Sequence, residues 1–128
     1  MEEIFKRNFR RWNEALQTKR PEEVTKLYSR NTTFLPTFSD EFRKGKEKTK
    51  DYFENFLKKN PRGKIVEEEV QMISSEAYSH SGMYNFEATN SEGKKQEIEA
   101  RFTFIWKKNG EGEWKIIHHH SSPKISKK

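Results

Sequence analysis

The spacing of apolar side chains changes once along this chain, near Gly63, and that change limits the folds open to it. Before it, apolar residues recur three and four apart: Phe5, Phe9, Trp12 and Leu16 lie on one stripe, while Lys6, Arg7, Arg10, Arg11 and Glu14 fall elsewhere. The pattern predicts an amphipathic helix over 2–17. Pro21, whose ring presets a helical φ, opens a second helix over 21–29, with Glu22 and Glu23 complementing its positive end. Thr32 to Leu35 is β-prone and stops at Pro36, which cannot continue a central ladder. The loop beyond carries Phe38 and Phe42, aromatic enough for a lid or plug. Tyr52, Phe53, Phe56 and Leu57 mark a third helix over 46–59, closed by Asn60-Pro61-Arg62-Gly63.

After Gly63 the period is two. Strands are expected over 64–74, 76–89, 95–108 and 113–122, separated by Ser74-Ser75, Asn90-Ser91-Glu92-Gly93 and Asn109-Gly110-Glu111-Gly112. Short turns between successive strands make an antiparallel meander. One sheet with helices on one face is the simplest way to bury both apolar sets, which places the chain in the α+β class. With 128 residues there is material for one core. A single domain over 1–123 with a basic tail over 124–128 is expected.

Composition alone would suit a disordered chain, at 30% hydrophobic and 36% charged residues. What argues for folding is the size of the apolar residues: ten Phe, four Tyr and three Trp stand against fifteen Ile, Leu and Val. No apolar run approaches the roughly 20 residues of a membrane span, and Met1-Glu2-Glu3 begins no apolar signal core, so a cytoplasmic location is expected. The absence of Cys excludes disulfides, a thiol nucleophile and Cys-rich zinc sites. Nothing resembling a glycine-rich phosphate loop is present, and no cofactor is expected. The net charge of +6 is uneven, because 41–64 carries nine Lys or Arg against four acids. A solvated helix face is the preferred explanation, attraction to nucleic acid or another polyanion the less favoured one.

The strand pattern bears on function. In 95–108, Ile98, Ala100, Phe102, Phe104 and Trp106 share one side, and Glu97, Glu99, Arg101, Thr103 and Ile105 the other. In the last strand Trp114, Ile116, His118, His120 and Ser122 alternate with Lys115, Ile117, His119 and Ser121, mixing apolar anchors with imidazoles. A sheet with helices on one face and aromatics on the other needs a second apolar partner, which points to self-association.

Ala100-Arg101-Phe102-Thr103-Phe104-Ile105-Trp106, followed by Trp114-Lys115-Ile116-Ile117-His118-His119-His120-Ser121-Ser122, resembles the C-terminal hairpin of SnoaL-like proteins of the nuclear transport factor 2-like superfamily. Within it, the chain most resembles the association (hub) domain of calcium/calmodulin-dependent protein kinase II. Trp12-Asn13-Glu14-Ala15-Leu16, Phe34-Leu35-Pro36-Thr37 and Tyr52-Phe53-Glu54-Asn55-Phe56-Leu57 agree, so the likeness runs from about residue 5 to 122. The resemblance implies a curved sheet wrapped into a cone around a cavity and an exposed sheet face that makes homodimers, which kinase hubs stack into rings. It does not choose between scaffolding and small-molecule catalysis, because the superfamily does both.

The cavity candidates are Trp12, Tyr52, Tyr84, Arg101, His118 and His120. His118 and His120, two apart on one strand, could act as general acid or base or hold buried polar groups. A metal would need a further ligand, which His119 on the opposite face could not supply, so no metal site is expected. Arg101, if it points inward, would suit a small carboxylate; its alternative is an ion pair with Glu97 or Glu99. Asp40 and Asp51 do not read as a catalytic base. The expected function is therefore homo-oligomerisation with an anion-binding cavity. A cyclase-, isomerase- or dehydratase-type enzyme using His118 or His120 is the alternative.

Overall fold

A computed structural model describes residues 2–125. The chain runs α1 (Ile4–Gln17), α2 (Pro21–Thr25), β1 (Tyr28–Leu35), β2 (Arg43–Lys44), α3 (Gly45–Phe56, with a 3-10 turn Leu57–Lys59), β3 (Arg62–Ser74), β4 (Ala77–Thr89), β5 (Lys95–Lys108) and β6 (Trp114–Pro123). These strands form one sheet in the order β2-β1-β6-β5-β4-β3. Strands β3 to β6 are the expected antiparallel meander. β1 lies parallel to β6, joining the first strand of the chain to the last. Of the expected 124–128 tail, 126–128 lie outside the described residues.

The helix α1 buries Phe9, Trp12 and Leu16, as its stripe requires, together with Asn8. Asn13 ties it to the sheet: its amide donates to the Gly63 carbonyl and accepts from the Gly63 N–H, both at 2.8 Å. In effect a side-chain amide pairs with the start of β3 as a neighbouring strand would. The second helix is shorter than the expected 21–29. Tyr28 is already the first residue of β1, where the Ile116 N–H donates to the Leu27 carbonyl at 2.7 Å. The 3-10 turn after α3 stops at Asn60, which adopts the left-handed conformation.

Two of the hairpin turns have the same construction. The Asn90 side-chain oxygen accepts from the N–H groups of Glu92 and Lys94, and that of Asn109 from Glu111 and Glu113. Gly93 and Gly112 close these turns at φ of 80° and 79°, where a Cβ would be strained.

The core is aromatic, and it lies on one side of the sheet. Phe34, Tyr84, Phe86, Phe102, Phe104 and Trp106 meet Trp12 of α1 and Phe53 and Phe56 of α3. The expected aromatic outer face is therefore corrected: the large rings of β5 are buried under the helices. The other face of β4 to β6 carries Met83, Thr103, Ile105 and Ile117, all half-buried, among Arg101, His120 and other polar side chains.

Candidate functional site

One extra residue in β6 decides which histidine enters the core. Trp106 pairs with Ile116, but the next residue back on β5, Ile105, pairs with His118, so Ile117 is a bulge. The alternation resets there. Trp114 and Ile116 face the helices before it; His119 and Ser121 face them after it, and His120 is exposed on the opposite side. Strict period two across 113–122 had put His118 and His120 inward, and the bulge inverts that assignment.

His119 is 2% exposed. Its ring is stacked between Phe104 (centroids 4.1 Å apart) and Phe34 (4.8 Å), with Trp12 edge-on at 5.5 Å. Both ring nitrogens are engaged: Nδ1 lies 2.8 Å from the Tyr28 hydroxyl and Nε2 3.3 Å from that of Tyr84. Upstream, Trp12 Nε1–H donates to Tyr28 at 3.1 Å; downstream, Tyr84 donates to the Ser121 hydroxyl at 2.6 Å, and Ser121 pairs with Thr37.

The donors assign one proton arrangement along this chain. The Trp12 N–H fills an acceptor position on Tyr28, whose own proton goes to Nδ1; Nε2 then carries hydrogen toward Tyr84, whose proton goes to Ser121. Every step matches a donor to an acceptor only while His119 is neutral. Burial holds its pKa well below the ordinary imidazole value, and the neighbouring His118 and His120 add to the effect. Burial also raises Tyr28 and Tyr84 far above the usual phenol range and pushes Tyr52 up to about 12. Along this hydrogen-bonded run both ring nitrogens of His119 and the hydroxyls of Tyr28 and Tyr84 are taken up by their neighbours. Chemically it is a neutral polar spine that fastens α1, β1, β4, β6 and the Thr37 loop together.

The six expected cavity residues divide three and three. Trp12 and Tyr84 stack at 6.3 Å, and Tyr52 lies edge-on to Phe34 at 5.3 Å, so these walls close on other side chains. The other three are corrected to the outer face. His118 is half-buried there with Nδ1 2.7 Å from the Thr33 hydroxyl, and burial lowers its pKa. His120 is exposed. Arg101, also exposed, donates to the Ser122 hydroxyl at 3.3 Å, while Glu99 pairs with Lys124 at 3.6 Å. The interior therefore receives neither the arginine considered for a carboxylate nor the histidines of the enzymatic alternative. Sequence reasoning missed His119, Tyr28 and Ser121, and a bulge leaves no residue-type signal at Ile117.

A second imidazole is also buried. His80 faces Phe5, Phe9 and Phe102, and its Nε2 lies 2.8 Å from Glu68. Burial outweighs Glu68 and lowers its pKa. Among the described residues no three His, Cys, Asp or Glu side chains are placed to share a metal ion.

A depression of about 590 Å³ opens beside the core, between the loop that follows β1 and helix α3, lined by Phe38, Arg43, Tyr52, Asn55, Phe56 and Lys59 among others. Phe38 packs on Phe56 at 6.0 Å, and Phe42 turns outward.

The curved sheet over three helices is the fold of the nuclear transport factor 2-like superfamily. A Salmonella enterica protein of that superfamily matches at a TM-score of 0.79 with 18% identity, covering 95% of this chain and 89% of its own. A Streptomyces avermitilis protein assigned as a dehydratase of the same family matches at 0.81 with 11% identity, covering 95% of each chain. Within that fold class the chain belongs to the calcium/calmodulin dependent protein kinase II association domain family, whose model matches residues 2–125. A Xanthomonas campestris structure assigned to the same association domain is 40% identical, with a TM-score of 0.89, over 92% of this chain and 84% of that one. No curated protein matches the chain. No helix among the described residues is long and apolar enough to cross a membrane.

Proposed function

We infer that this domain works by self-association through the outer face of β4 to β6, as a homodimer that can build into a ring. One observation carries the reading: Met83, Thr103, Ile105 and Ile117 lie on the face turned away from the helices, half-buried within the single chain. Membership in an association-domain family supports it. A face that mixes apolar and polar side chains has the composition of an interface that forms and releases, since about 800 Å² per partner is enough for a specific dimer. Light scattering coupled to size exclusion tests it at tens of micromolar protein. A dimer or larger mass is expected, and Ile105→Asp should reduce it to the monomer with an unchanged circular dichroism spectrum. A wild-type monomer, or an Ile105→Asp variant that keeps its mass, overturns the reading.

The carboxylate expected of Arg101 moves with it to this face, where Arg101, Thr103, His120 and Ser122 line a depression of about 270 Å³. A small acid or an acidic side chain of a second copy would fit there. Because Arg101 is exposed, Arg101→Ala should weaken acetate binding or self-association by no more than about 1 kcal/mol, as read by titration calorimetry. A tenfold or greater loss of affinity would show that the guanidinium is desolvated in the assembly.

A further inference from the structure

Two aromatic rings escape the core. Among the described residues Phe38 and Phe42 are the aromatic side chains left exposed, at 46% and 55%, and both lie in the loop between β1 and β2. Each has an ammonium group over its face: Lys59 Nζ is 6.0 Å from the Phe38 centroid, and Lys44 Nζ is 5.9 Å from that of Phe42, so a stacking base would take the place of the ammonium and leave it to a phosphate. Phe38 also walls the 590 Å³ depression, at whose edge the exposed amide of Asn55 offers one donor and one acceptor group.

The surroundings are cationic. Residues 41–64 carry nine Lys or Arg against four acids. Of the acids at this rim, Glu41 is engaged by Arg43 at 2.8 Å, which leaves Asp40 as the carboxylate that would repel an anion. Phosphate would therefore approach from the Lys59 side. Exposed rings that each carry a lysine suit a ligand that alternates flat bases with phosphates, because any base can stack on an aromatic face and each phosphate can take an ammonium. Phe42 follows Phe38 by four positions, so their backbones lie at most about 14 Å apart, within reach of two bases of one strand. A duplex hides its base faces and would not fit.

We propose that the loop between β1 and β2, with β2 itself and the 3-10 turn after α3, binds single-stranded nucleic acid, one base stacking on Phe38 over the depression and the flanking phosphates meeting Lys59 and Lys44. Fluorescence anisotropy with a labelled oligothymidylate of about twelve nucleotides tests it, at about 50 and about 200 mM salt. Binding that weakens with salt is expected. The double variant Phe38→Ala, Phe42→Ala should lose about tenfold in affinity at both salts. Lys44→Gln with Lys59→Gln should flatten the plot of log affinity against log salt by about 0.7 per lysine. All four side chains are surface groups, so an unchanged thermal midpoint verifies that the variants fold. The proposal fails if the strand does not bind by about 100 μM, the weak end of the range for non-specific contacts, or if the Phe variant binds as wild type does. It fails equally if an abasic strand of the same length, or thymidine monophosphate, binds as tightly as the oligonucleotide.

Discussion

The two faces of strand β6 carry the same residue type and put it to opposite use. On the inner face His119 is clamped between Phe34 and Phe104 with both nitrogens bonded, and on the outer face His120 stands in the open two atoms' thickness of backbone away. One histidine is part of the core and the other part of the surface. A histidine triplet therefore carries no fixed chemistry; the environment on each side of the sheet assigns it.

The contrast can be broken by substitution. The largest effect is expected for Trp12→Ala, which removes a fully buried ring and leaves the Tyr28 hydroxyl without its donor. Denaturant unfolding should show a loss of about 3–5 kcal/mol, and a loss below about 1 kcal/mol would mean the core collapses around the gap. His119→Ala should cost about 2–4 kcal/mol, since it opens a cavity and strands two buried hydroxyls.

Acid should separate the faces further. Burial lowers the folded pKa of His119 and His80 below the unfolded value near 6.5, so below that pH the unfolded chain binds the extra protons. Stability should be complete above about pH 7 and fall as the pH drops through 6.5, with a slope of up to about 1.4 kcal/mol per pH unit for each buried imidazole. His119→Phe should reduce that slope and leave His80 and the half-buried His118 to supply the remainder. The smallest effect is expected for His120→Ala, within about 0.5 kcal/mol in the same unfolding measurement.

Much of this architecture was legible because period and turn chemistry are local. The stripe Phe9, Trp12, Leu16 and the turns at Asn90 and Asn109 each declare themselves within a few residues. The strand ends of the meander followed from them to within two residues. Contacts between distant segments were not legible. The pairing of Phe34 with His119 joins residues more than eighty apart, and the two-residue strand β2 exists only because it lies beside Thr33 and Phe34. Tyr28 shows the same limit: its spacing from Val24 suits a helix, yet its side chain is held by Trp12 and His119 as a strand residue. At the candidate site, Trp12, Tyr52 and Tyr84 were readable as interior groups because they sit in strongly periodic segments. Arg101 was not, since alternation divides a strand into two sides without saying which one meets the helices.

The extra residue at Ile117 works like an inserted letter that shifts every later word to the other side of the page. Deleting Ile117 would remove the bulge and leave Ile116, His119 and Ser121 in regular alternation on the core side, so the spine would keep its residues; a strand that kept Ile117 without the bulge would instead turn His118 and His120 inward and send His119 and Ser121 to the exterior.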